Sequence, residues 1–276
     1  MTLRRDLSIF AASALAAGWI GVGVNRLLGQ ENSMESPGSL VWLITPVASS
    51  LVLRRISKGR FLPKRSRGVD RRSRALAWGA ALSVYPVVTL GTLALGRALG
   101  LVDTSTIDLS GVGTAMAAAL VPSLVKNIAE EAAWRGYLTE ELMNDKAGRW
   151  TITAVVGLIW GCWHAPYYLF FLPEEQMRQV LDVDRPVFAA VAVAVMVGWT
   201  VLFTEVYALP RSIWPSTVMH ALEDSVVNPP VMDGGVKFTT GGQWLVSPVV
   251  GAITTAAYAG AGVLIRRLGR RRSRTT

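Results

Sequence analysis

The chain has 276 residues, 51% of them hydrophobic and only 17% charged, with a mean hydropathy of +0.37. This is the composition of a membrane protein, and once about eight spans are counted the remaining length excludes a separate soluble catalytic domain. The formal charge of +9 would point to nucleic acid on a soluble face, but the bases stand in short runs between apolar stretches, so they read as orientation signals and nucleic acid is not an expected partner.

Apolar runs cover, in chain order, residues 7–28, 39–53, 75–99, 111–130, 151–172, 186–209, 212–228 and 246–265. They predict an all-α, polytopic transmembrane helix bundle of about eight spans. The opening MTLRRDLSIF has the look of a signal peptide, even a twin-arginine one, but its apolar stretch is long and more spans follow, so it reads as an uncleaved first helix. The second run is short and the seventh carries His220, Glu223 and Asp224, which makes six or seven spans the alternative counts.

Residues 54–74 hold ten bases (Arg54, Arg55, Lys58, Arg60, Lys64, Arg65, Arg67, Arg71, Arg72 and Arg74) against Asp70 alone, and residues 266–276 hold six arginines. Both segments are expected in the cytoplasm. Eight spans put these two segments and Arg4 and Arg5 on one side, N-in and C-in, and leave Glu31, Glu35, Asp103, Asp108, Glu174, Glu175, Asp182 and Asp184 on the other. The basic runs also suit anionic lipid head groups, although orientation alone accounts for them. Gly111 with Ala115, and Gly157 with Gly161, are four apart and permit close helix contact; no fixed repeat is visible. The whole of 1–276 reads as one membrane-embedded domain.

A charge near the bilayer midplane costs at least about 2.5 kcal/mol, so ionisable groups inside spans are functional candidates. They cluster in three runs: VKNIAEEAAWRGYLTEEL holds Glu130, Glu131 and Arg135; IWGCWHAPYYL holds His164; PSTVMHALEDSV holds His220, Glu223 and Asp224. Glu205 and Arg211 lie near an expected helix end, where snorkelling explains them. Glu131 and Arg135, four apart, share a helical face and suit an ion pair. Glu130, turned by about 100°, is the carboxylate left for general-base work, with Lys126 four residues earlier within reach. His220 and Asp224 are likewise four apart, and Glu223 is a second neighbour. The chain's only two histidines thus both fall in apolar helices. Pro166 is expected to bend its helix and release carbonyls that neighbouring helices or a cavity must satisfy.

Two imidazoles with glutamates activate water, either directly or through a bound metal such as zinc, and both routes are hydrolytic. There is no HExxH, and one cysteine, Cys162, allows neither a disulfide nor a CxxC pair. Cys162 and His164 are about 200° apart around a helix and face away from each other. Ser216 precedes His220 by four, but no serine has a GxSxG context.

EEAAWR at 130–135 resembles the EExxxR motif of the CPBP intramembrane proteases, the family of type II CAAX prenyl endopeptidases and bacteriocin-processing or self-immunity proteins. His164 falls where that family's FxxxH motif has its histidine, and His220 with Asp224 resembles its HxxxN motif; order and separations also match, with a motif core over 111–228. Two departures stand out: Trp160 replaces the phenylalanine, a change expected to affect packing only, and Asp224 stands where asparagine is commonest. An ionised Asp224 would repel an oxyanion, so the residue must be protonated, or orient His220, or weaken the site.

The resemblance implies a multi-pass endopeptidase of a prokaryotic plasma membrane, acting on a peptide that is prenylated or membrane-associated. Glu130 and His164 would activate the water, His220 and Asp224 would stabilise the oxyanion, and Glu131 and Arg135 would support them. Should a metal be required, Glu130, His164 and His220 are its expected ligands and zinc the expected ion. The alternative is a catalytically silent peptide-binding or self-immunity protein; a proton-coupled transporter is a third class, and the lack of internal duplication speaks against it.

Overall fold

The computed structural model describes residues 3–58, 69–232, 235–239 and 241–270. Its elements are α1 (Leu3–Leu28), α2 (Pro37–Lys58), α3 (Arg71–Ala98), β1 (Val102–Asp103), α4 (Leu109–Ala133), α5 (Glu140–Asn144), α6 (Arg149–Pro166), α7 (Glu174–Val180), α8 (Arg185–Ala208), α9 (Ile213–Leu222), α10 (Asn228–Met232), β2 (Lys237–Phe238), α11 (Gly242–Val246) and α12 (Ala252–Arg270). Three π-helical turns join some of these end to end: Trp134–Thr139 links α4 to α5, Tyr167–Phe171 prolongs α6, and Glu223–Val227 links α9 to α10.

Among the described residues, six helices are long and apolar enough to cross a membrane: Arg4–Leu28, Pro37–Lys58, Arg71–Ala98, Leu109–Asn144, Arg149–Phe171 and Arg185–Ala208. They take up the first six expected runs. The seventh and eighth are helical as well, as α9–α10 and α12, but the first carries His220, Glu223 and Asp224 and the second ends in Arg266, Arg267 and Arg270. The fold is therefore an all-α polytopic helix bundle, and β1 with β2 is a two-residue antiparallel clip pairing Val102 with Phe238 and Asp103 with Lys237.

The chain divides into two compact units. The first comprises 1–65, 129–173 and 184–197. In it α1 and α2 touch backbone to backbone, because Gly21 and Gly38 carry no side chain: a Cβ on Gly21 would lie 2.3 Å from the Gly38 carbonyl oxygen. Asn25 closes the turn beside them, donating to Asn32 Oδ1 (2.9 Å) and Ser36 Oγ (2.8 Å) and accepting from the Gly38 N–H (2.7 Å). Trp42 of α2 stacks on Trp163 at 4.4 Å and on Tyr167 at 5.3 Å. Its indole N–H also donates to the carbonyl of Trp163 (2.9 Å), three residues before Pro166, so a neighbouring helix satisfies a carbonyl of the turn that the proline ends. Gly161 packs against the Val193 backbone of α8, while a Cβ on Gly111 would meet only Asp108 of its own turn.

Arg54 departs from its expected place among the exposed loop bases. It is buried, donates to the carbonyl of Gly136 in the first π turn, lies 3.9 Å from Glu141 and sits over the Tyr137 ring. Lys58 pairs with Glu141 too. Arg60, Lys64, Arg65 and Arg67 of the loop, and Arg271, Arg272 and Arg274 of the tail, lie outside the described residues.

The second unit comprises 66–128, 174–183 and 198–276. Tyr85 of α3 packs edge-on to Trp199 (5.6 Å) and against Tyr258 of α12 (4.5 Å). Gly262 lets α12 meet α8: a Cβ there would lie 2.7 Å from the Leu202 nitrogen. Glu205, expected to snorkel, is instead 6% exposed among the helices, because α8 runs three residues past it to Ala208 and holds it inside the unit. Ser212 caps α9 by accepting from the Trp214 N–H, after Arg211 turns the chain with φ 50°.

Candidate active site

The three π turns of the described residues fall on the three stretches singled out in the sequence. Arg135 lies in the first, the second begins three residues after His164, and Glu223 and Asp224 open the third. A π turn widens the helix by one residue, leaves carbonyls out of register and recurs at functional sites.

In the first unit the chemistry gathers on α4 and α6. Glu130 and Glu131 are 3% and 0% exposed, and Arg135 is fully buried. The expected pair forms: Arg135 Nη1 donates to Glu131 Oε1 at 2.8 Å. Trp160 of α6 does more than pack. Its indole N–H donates to Glu130 Oε2 at 3.3 Å, the Arg135 guanidinium lies 4.0 Å above its ring, and its backbone carbonyl is 2.9 Å from His164 Nδ1. A carbonyl only accepts, so Nδ1 carries a hydrogen, and in the neutral imidazole Nε2 then carries the lone pair. Trp163 edge-on at 4.5 Å and Tyr168 stacked at 5.8 Å fix the ring's plane. One residue thus ties together Glu130, Arg135 and His164, where packing alone was expected of it; a hydrogen-bond donor at a position held by phenylalanine in the resembling motif was the signal.

In the second unit His220 is 4% exposed and meets the Phe203 ring edge-on at 5.4 Å. Ligand atoms of His220, Glu223 and Asp224 all lie within 4.8 Å of one another, the result of placing three such groups at i, i+3 and i+4. Asp224 does not stand alone with His220. Lys126 Nζ approaches its Oδ2 to 2.8 Å, and Asn127 Nδ2 donates to the same oxygen at 2.7 Å. An ammonium and an amide N–H on one oxygen favour the ionised carboxylate, which of the three expectations for Asp224 speaks against protonation. Lys126 was read from the sequence as a neighbour of Glu130; its bond to Asp224 and the whole contribution of Asn127 were not legible there.

Among the described residues, His220, Glu223 and Asp224 form a grouping that offers metal ligands; of the ligands expected from the sequence, Glu130 and His164 lie in the first unit and His220 in the second. Ser216 is buried and spends its hydroxyl on the Ile213 carbonyl, and Cys162 faces outward on α6, so neither is arranged as a nucleophile by these contacts.

No curated protein matches the chain. Residues 112–226, which hold Lys126, Glu130, Glu131, Arg135, Trp160, His164, His220 and Asp224, match the family described as type II CAAX prenyl endopeptidase Rce1-like. This segment, which bears every motif residue, the first two π turns and all but the last residue of the third, is similar to the Rce1-like type II CAAX prenyl endopeptidases, a family of membrane proteases.

Proposed function

We propose that the chain is an intramembrane endopeptidase in which Glu130 and His164 activate water. The observation that carries the reading is the link through Trp160: one residue orders the Glu130 carboxylate by its indole N–H and the His164 tautomer by its carbonyl. A water held by Glu130 and His164 Nε2 loses a proton as its oxygen attacks the scissile carbonyl carbon. The C–N bond then breaks, and the proton passes to the departing amine. By the motif resemblance His220 and Asp224 take the oxyanion role, and the Glu131–Arg135 pair supports α4 without touching the peptide.

Zinc, if bound, would polarise the carbonyl or the water, and His220, Glu223 and Asp224 would be its ligands. The donor set fits poorly, because Asp224 Oδ2 already faces the Lys126 ammonium. No step is routed through a metal. The substrate class is a peptide bond close to the membrane, in a prenylated or otherwise membrane-associated chain, at a prokaryotic plasma membrane.

Purified protein in detergent or liposomes should cleave a quenched prenylated peptide, and Glu130→Ala and His164→Ala should each lower kcat by about 100- to 10,000-fold. Either variant cleaving as fast as the parent protein would remove the reading. Asp224, where the family motif favours asparagine, supports a second one: a peptide-binding or self-immunity protein without turnover. That reading gains if the parent protein is inactive and Asp224→Asn is active.

A further inference from the structure

The resembling motif has a neutral amide four residues after its second histidine; this chain has a carboxylate there, a few ångströms from the His220 ring. A bare carboxylate at that place is a liability for oxyanion chemistry, since it repels the developing charge and draws His220's proton toward itself. Two consecutive residues of α4 answer it. Lys126 and Asn127 reach the same oxygen, at 2.8 and 2.7 Å, although neighbours on a helix point about 100° apart. Asn127 is fully buried, and the Lys126 side chain is one-third exposed, its stem packed and its head at the carboxylate.

We propose that Lys126 is a positioning residue for the oxyanion side of the site: its ammonium cancels the charge of Asp224, so that Lys126, Asn127 and Asp224 together stand in for the neutral amide of the family motif. This rests on the hydrolase reading. Lys126 acts through Asp224 and touches neither water nor peptide. Asn127 fixes which carboxylate oxygen is engaged.

The claim has a signature that a simple brace between helices lacks. Lys126 is needed only because position 224 is charged. The full chain is purified as parent, Lys126→Met, Asp224→Asn and the double variant, and kcat, KM and melting temperature are measured for each on the prenylated peptide. Lys126→Met should lower kcat roughly ten- to a hundredfold with KM within about twofold. In the Asp224→Asn background the same change should cost less than about threefold, because no charge is left to cancel. Lys126→Arg, which keeps the charge, should retain most of the rate and covers the case in which Lys126→Met does not fold.

A Lys126→Met protein with parental kcat overturns the proposal, as does an equal loss in both backgrounds. So does a loss that vanishes once rates are referred to folded protein, which is what a purely structural lysine would give. A parent protein that never cleaves peptide is a different result: it removes the hydrolase reading first, and the role of Lys126 with it.

Discussion

Trp160 shows how much one side chain can add to a spacing motif. Its ring lies under Arg135, its N–H reaches Glu130 and its carbonyl sets the His164 tautomer. Trp160→Phe keeps the ring and the carbonyl and removes only the donor. Hydrogen bonds to charged groups contribute about 1.5–3 kcal/mol, and at 3.3 Å this one belongs at the low end, so kcat should fall about tenfold and the melting temperature by only a few degrees. A peptidase assay beside a thermal melt separates these, and unchanged kcat would return Trp160 to a packing role. Trp160→Ala is expected to cost about 3–5 kcal/mol of stability, since the ring is fully buried. The Glu131–Arg135 pair was legible in the sequence because two residues four apart on a helix must share a face. The Trp160–Glu130 bond was not, because it joins two helices and depends on which way an indole turns. The partners of Asp224 were hidden for the same reason.

Among elements, the helices themselves followed from apolar runs of sufficient length, and α1, α2, α3, α6 and α8 lie close to where those runs put them. The π turns did not follow. Hydropathy averages over a window, and one residue inserted into a turn barely alters it, yet that residue redirects every side chain downstream and frees carbonyls such as that of Gly136, which Arg54 takes up. This is why Arg54 looked like a loop base and is a buried one. Close helix approach was legible only in part: small residues four apart pointed to Gly161, which does pack on the Val193 backbone, but the tightest contact of the first unit joins Gly21 to Gly38 across a turn, a pairing no single-helix spacing reveals. Gly21→Ala should therefore destabilise the protein by about 1–3 kcal/mol, because its Cβ meets backbone that cannot step aside. Gly23→Ala, two residues on, has open space around it and should be neutral or stabilising by up to about 1 kcal/mol. Melting temperatures of the two variants in one detergent check the contrast, and equal effects would mean that the α1–α2 contact is looser than drawn.

At the scale of the whole molecule, the distribution of charge and the number of spans bear on each other. Among the described residues six helices qualify as spans on length and hydropathy, and α9–α10 and α12 are helical but more polar. If both cross, or neither does, the termini share a side; if only α12 crosses, the count is seven and the C-terminus lies outside. Bases flanking the spans favour the cytoplasm, and they occur at Arg4 and Arg5, through 54–74 and from Arg266 onward, so N-in and C-in is the arrangement expected. Cys162 is the only native thiol and sits exposed on a spanning helix, so a Cys162→Ser background permits mapping with single cysteines. Glu35→Cys, in the turn between α1 and α2, should react with a membrane-impermeant maleimide in intact cells, whereas Arg72→Cys, exposed at the start of α3, should react only after permeabilisation. A fluorescent protein fused to the C-terminus should light up, as cytoplasmic fusions do. Labelling of Arg72→Cys from outside would invert the orientation, and a dark C-terminal fusion alongside an outward Glu35 would fix the count at an odd number, leaving either α9–α10 or α12 on one side of the bilayer.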